Sequence, residues 1–406
     1  MDSFTERSYT GYGQNIGNSF KGMIFGLALI VGSIILLWWN ESRSLKQATA
    51  LQEMQEKIIT LPDTIYNTGY EGQAVLLQGL VKPLNELIDT EFNVKSSGLV
   101  LRKNVTMFQW RENKTTHSED KLGGGTETVT TYDYVQEWSS SAINSSSFKH
   151  TSGHQNPPMH YKSHTFSTNA MLGDYSLDKQ MVQRISASTP FNGLAQMPEY
   201  IGVAENHQSF LYIGHSTPNS PQIGDVKIHY TYAPSDIYTY ASKVLNKNLV
   251  PYRTTNGKSF AFVRVGKVEA NTIFEEELDA NSVLTWILRG VGLFLMFIGF
   301  NAIIAPLATL AKVIPMLGDV VGGIGGLFAG ILTLILGTFV IALAWFGARP
   351  LLSIGLIAGA VLISFILGKR GKKEEVKEDT FVEDEVYEKQ EHTSTPPSRR
   401  TPPPRR

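Results

Sequence analysis

The sequence has no cysteine in 406 residues. That excludes disulfides, cysteine-ligated zinc or iron–sulfur sites and a thiol nucleophile. Charge is scarce as well: 18% of the residues are charged, with a formal net charge of -1. With no basic stripe ahead of the tail, nothing points to nucleic acid as a partner. GxSxG, P-loop, GxGxxG and HExxH motifs are all missing. Gly123-Gly124-Gly125 is not followed by Lys-Ser/Thr and reads as a turn.

The scarcity of charge is local. Residues 22–39, 290–311, 320–348 and 350–368 carry none. At about 1.5 Å per residue, eighteen helical residues reach roughly 27 Å, close to the ~30 Å hydrocarbon core of a bilayer. These runs predict a multi-pass α-helical membrane protein with four spans, at 22–39, 286–306, 320–346 and 350–368. The first ends in LWWNESRSL (37–45). It is too long for a signal-peptide core, and a charged segment separates it from the small-residue pattern at Ala48-Thr49-Ala50, so it reads as a retained anchor. Trp38, Trp39, Trp286 and Trp345 fall where an aromatic belt belongs.

Flanking charge sets the expected orientation. Arg7 and Lys21, Lys312, and the Lys369-Arg370-Gly371-Lys372-Lys373 cluster outnumber Arg43, Lys46 and Arg349. Both termini are therefore expected in the cytoplasm. Residues 1–21 are expected as a cytoplasmic tail, 40–285 as an extracytoplasmic domain (periplasmic or lumenal), 307–319 as a cytoplasmic loop and 369–406 as a disordered cytoplasmic tail. Gly322, Gly326 and Gly330 share one helix face and suit close helix packing. No ionisable residue sits mid-span, which argues against a proton-coupled transporter.

Between the first two spans, residues 44–60 have helical apolar spacing ending at Pro62. Short β-branched and aromatic runs follow at 74–81, 99–110, 126–138, 226–232 and 259–268, with Asn256-Gly257 as a hairpin signal. The expected fold is a large β-rich α+β domain. His150, His154, His160 and His164 form two HxxxH pairs that could hold a metal, but Asn156-Pro157-Pro158 breaks any helix between them. In the tail, residues 374–391 hold nine acids and two lysines before a proline–arginine end.

Several markers lie in a characteristic order: Trp39-Asn40-Glu41 with Arg43, Gln109-Trp110, Trp138, Gly153-His154 with Asn156-Pro157, Gly224-Asp225, Asn281, Trp286, Arg289 and Arg349-Pro350. In these the chain resembles the transmembrane protein 43 (LUMA) family. The resemblance implies four spans, one large domain between the first two, no established catalytic site, and a role in organising membrane protein complexes. It implies residence in the endoplasmic reticulum and inner nuclear membrane for a eukaryotic member, and in the inner (cell) membrane for a bacterial one. The absence of cysteine leans towards a bacterial member.

The expected function is thus a non-enzymatic integral membrane scaffold without cofactor, whose partners are the lipid bilayer, other membrane proteins and further copies of itself. Two alternatives stand beside it. One is a metal-dependent binding protein or hydrolase using residues 150–164, and the other is a channel or transport component.

Overall fold

The computed structural model describes residues 2–346 and, beyond them, residues 355, 358, 359, 362 and 363. The fourth expected span, Arg349, Pro350 and the tail lie outside the continuous described segment. Three long helices dominate: α1 (Tyr12–Lys57), α2 (Ala270–Ala311) and α3 (Pro315–Phe346). Six strands organise the rest: β1 (Asp2–Thr10), β2 (Ala74–Pro83), β3 (Val100–Asp120), β4 (Thr126–Ser139), β5 (Val226–Ala233) and β6 (Ile237–Leu245).

All three helices are long and apolar enough to cross a membrane. Each outreaches its apolar run. The helix expected at 44–60 is the continuation of α1, so no hinge separates the apolar segment from the β domain. The expected loop 307–319 shrinks to a short turn, because α2 continues to Ala311 and α3 begins at Pro315. Only 22% of the most apolar window of α1 is buried within the chain, so lipid is needed to cover the rest.

On α1 the inward face is Gly26, Ile30, Ser33, Leu37 and Asn40, spaced three or four apart, with Glu41 buried beside it. It meets Thr285, Gly292, Met296 and Gly299 of α2. The closest approach is between backbones: a Cβ on Gly26 would stand 2.6 Å from the Gly299 carbonyl oxygen. Gly322, Gly326 and Gly330 of α3 do face α2, but at ordinary contact distance, with a Cβ on Gly326 3.6 Å from Asn301 Oδ1.

The β domain holds two larger sheets. In the seven-stranded one, β2 pairs with both Ala170–Leu172 and β6, and the chain of pairings through Tyr175–Leu177 and Asn248–Val250 returns to β6. Five strands therefore close into a small barrel, filled by Val75, Leu77, Val81, Leu172, Tyr175, Tyr240 and Val244. This explains the unbroken apolar start of β2. Val75 and Leu77 fill the barrel, while Leu76 points out against Leu51, Met54, Ile273 and Phe274 at the ends of α1 and α2.

The nine-stranded sheet runs β1-β4-β3-β5 and on through Leu211–Ile213. Beyond Trp110, β3 and β4 leave the domain as a long hairpin whose tip turns at Gly123 (φ +92°) and Gly124 (φ +79°). The stretch 2–10, expected as part of a tail, is β1, paired antiparallel along its whole length with residues 126–134 of β4. The three-stranded arm reaches the far end of the helices. There Asn15 Nδ2 donates to the Gly124 carbonyl (3.0 Å), the Gly123 N–H donates to the Val313 carbonyl (3.1 Å), and Asp120 pairs with Lys312 (2.8 Å).

Candidate functional site

Where the apolar part of α1 ends, a polar belt joins it to α2. Glu41 is 1% exposed and receives a fork from Arg289, with Nε 2.6 Å from Oε1 and Nη2 2.8 Å from Oε2. The indole N–H of Trp345 on α3 also donates to Oε2, so one carboxylate ties all three helices. The Arg289 guanidinium lies 4.6 Å from the Trp286 ring centre and 5.4 Å from that of Trp345. A planar cation between aromatic faces and a bidentate acid is a favourable way to hold a charge away from water.

Two residues on, Arg43 uses neutral oxygens. Its Nη1 donates to Asn281 Oδ1 (3.1 Å), and Nη2 donates to Thr285 Oγ1 (3.1 Å) and Asn40 Oδ1 (3.3 Å). Asn40 Nδ2 donates to the Thr285 carbonyl (3.0 Å), and Asn281 Nδ2 to the Ser44 carbonyl (3.0 Å). Arg43 Nε is buried with no partner among the described residues. Glu41 and Arg43 thus serve separate halves of the belt and do not pair with each other. Trp39 stands outside the belt, 54% exposed on the outer face of α1.

The remaining sequence-flagged residues gather at the root of the arm. Gln109 is fully buried; its Oε1 accepts from Ile143 N–H (2.8 Å) and its Nε2 donates to the Ser141 carbonyl (3.0 Å). Asn156 clamps the Trp110 backbone from both sides, accepting from its N–H (2.7 Å) and donating to its carbonyl (2.9 Å). Gly153 takes φ +81° in the preceding turn. Gly224, at φ +99°, lets Pro157 pack close, where a Cβ would stand 2.9 Å from its Cγ. Trp138 lies tilted against Phe108, 5.3 Å between ring centres, and carries Lys227 Nζ 4.3 Å from a ring centre.

Asp225 is buried and accepts from Tyr212 OH (2.6 Å), Gln222 N–H (2.7 Å) and the Ser216 hydroxyl. Burial pushes its carboxyl up, but the Ser216, Tyr212 and Gln222 hydrogen bonds together outweigh it and hold the group below its ordinary value. The Tyr212 phenol is pushed up to about 12, first by burial and then by its bond to Asp225.

The metal reading of the histidines does not hold. Among the described residues, no group of three His, Asp or Glu side chains could take a metal ion. His154 is buried face to face with Tyr134 (3.9 Å between ring centres) and edge-on to Trp110, with Nε2 3.1 Å from Asp2. His150 stacks on Phe4 of β1, and His164 lies against Phe166. His150 and His154 dock the N-terminal strand.

Sequence reasoning missed a second buried ionic group. Lys103 pairs with Asp89 (3.2 Å) and Glu91 (2.5 Å), and Tyr230 OH donates to Asp89 (2.6 Å). A lysine inside the strand run 99–110 was the available signal. It also missed Ser44, an ordinary small polar residue until the two helices meet.

Apolar helices joined by a polar belt, together with a large folded β domain, define an integral membrane protein. More particularly, the chain belongs to the Transmembrane protein 43 family, whose model matches residues 107–350. It is 27% identical to Transmembrane protein 43 of Homo sapiens over 378 residues, covering 89% of this chain and 93% of that protein. Against the Mus musculus protein it is 28% identical over 380 residues, 90% and 94% of the two chains. The Drosophila melanogaster Transmembrane protein 43 homolog is 28% identical over 307 residues, 72% and 79% of the two chains. No solved structure matches.

Proposed function

We propose that the chain is a non-enzymatic membrane scaffold that organises other membrane proteins around its β domain. The observation that carries this reading is the belt. Asn40, Glu41 and Arg43 bind Asn281, Thr285 and Arg289 where the bundle meets the domain. Such an arrangement fixes a large surface at a set height and angle over the bilayer, which suits a platform for partners. The buried polar groups described above are each spent on structure, so none is set up as a nucleophile or a general base. Flanking charge supports a cytoplasmic location for the helix ends near Lys21 and Lys312 and a β domain outside the cytoplasm, in the inner membrane of a bacterium or the endoplasmic reticulum and inner nuclear membrane of a eukaryote. The N-terminal residues expected in the cytoplasm instead run back along the arm to His154, beside the domain.

Proximity labelling from an enzyme inserted at the exposed turn Asn246-Lys247 tests it. The scaffold reading expects a recurrent set of membrane proteins that shrinks when Glu41→Ala loosens the belt. A purified chain that turns over a substrate, or a labelled set indifferent to Glu41→Ala, overturns it.

A further inference from the structure

The arm is polar over the depth at which the helices are apolar. Its strands leave the domain beyond Trp110 and touch the helices again at Tyr12, Asn15 and Lys312, the far end of the bundle. The ten residues Arg111–Asp120 of β3 at about 3.3 Å each make roughly 33 Å, enough to pass the ~30 Å hydrocarbon layer. Residues 111–120 read RENKTTHSED, and β1 reads DSFTERSYT. Residues 113–119 and 2–9 are exposed. Two edges are bare among the described residues: β1 pairs only with β4, and β3 from Arg111 to Asp120 also pairs only with β4.

Lipid does not tolerate this. An open sheet edge at membrane depth is allowed only where protein buries it or where it lines a water-filled space. Among the described residues, one copy of the chain supplies neither. The bundle meets the arm at its tip, and both bare edges face away from β4. The edges match, however. They are nine and ten residues long, and β1 and β3 both run antiparallel to β4, hence parallel to each other. Copies related by rotation about the membrane normal would present β1 of one to β3 of the next in a single direction.

We propose that several copies join β1 to β3 around a ring, so that the arms line a water-filled space within the membrane while the helices face lipid. The partner is a second copy of this chain, and each copy contributes three strands to the wall. This stands independently of the scaffold reading and would give it an oligomeric frame.

The absence of cysteine makes the test clean. Within one chain β4 separates β1 from β3 by two strand spacings, about 9.6 Å, beyond the ~7 Å limit for a disulfide between Cα atoms. A chain carrying one cysteine on each of those strands can therefore bridge them only between copies. Full-length chains combining Ser3→Cys or Ser8→Cys with Thr115→Cys or Ser118→Cys are oxidised in native membranes. The expected result is a reducible ladder at multiples of 45.0 kDa, against at most dimers from the single variants. In sealed vesicles, a membrane-impermeant maleimide should reach Leu122→Cys at the exposed tip of the arm and Glu199→Cys in the domain from opposite sides, and should also label Thr115→Cys. No ladder from any pair overturns the proposal. So does labelling of Leu122→Cys and Glu199→Cys from one side, which would mean that α1 does not cross, and so does a Thr115→Cys shielded from the reagent.

Discussion

Glu41 and Arg289 are 248 residues apart in sequence and share two hydrogen bonds at the junction of α1 and α2. Two charges buried together are stable only as a pair. Removing one strands the other, a loss of about 3–5 kcal/mol, whereas replacing both with apolar side chains of like size is often neutral. Glu41→Ala or Arg289→Ala alone should lower the thermal midpoint of the detergent-purified protein sharply. Glu41→Leu with Arg289→Leu should recover most of it. If the double variant is as unstable as either single one, the pair does not carry the junction.

A second prediction ranks glycines. Gly26→Leu must push α1 and α2 apart, because even a Cβ there meets the Gly299 carbonyl at 2.6 Å. Gly326→Leu meets Asn301 Oδ1 from 3.6 Å and has room to adjust. Protease resistance of the bundle should fall far more for Gly26→Leu; equal sensitivity of the two variants would contradict the packing described.

The third concerns acid. Asp225 titrates below its ordinary value of 3.8 when folded, so its contribution is complete above that value and is lost as pH falls through the folded one. Asp225→Asn should weaken the domain at neutral pH and flatten the loss of stability below about pH 4. Tryptophan fluorescence during urea unfolding reads both, since Trp138 stands 6.5 Å from Tyr212.

Lys103 offers a fourth test. Lys103→Met leaves Asp89 buried with only the neutral donors Tyr230 OH and Glu91 N–H, at a cost of about 3–5 kcal/mol. Adding Asp89→Asn should return part of that loss. An additive double variant would show that the two groups do not act together.

Much of this was legible in the sequence because it rests on local pattern. Charge-free runs gave the three described helices, and Thr254 and Lys258 do flank a tight turn at Asn256-Gly257. Trp39-Asn40-Glu41 marked the end of the apolar run, and α1 does bury Asn40 and Glu41 there. What stayed hidden depends on distant partners. Nothing in SFTERSYT announces a strand; it becomes one because β4 offers an edge in register. Residues 111–120 are polar on both faces and look like a loop until paired. The barrel closes through a single parallel bridge, Ser176 to Asn248, which no local signal encodes.

The unbroken run of α1 from the bilayer into the domain makes it a lever. Past Trp39 the helix continues for eighteen residues, about 27 Å, to the barrel wall at Leu76. A tilt of about 10° in the membrane would swing that end sideways by roughly 5 Å over such a length. Bilayer thickness, which sets helix tilt, is thereby converted into movement of the β domain.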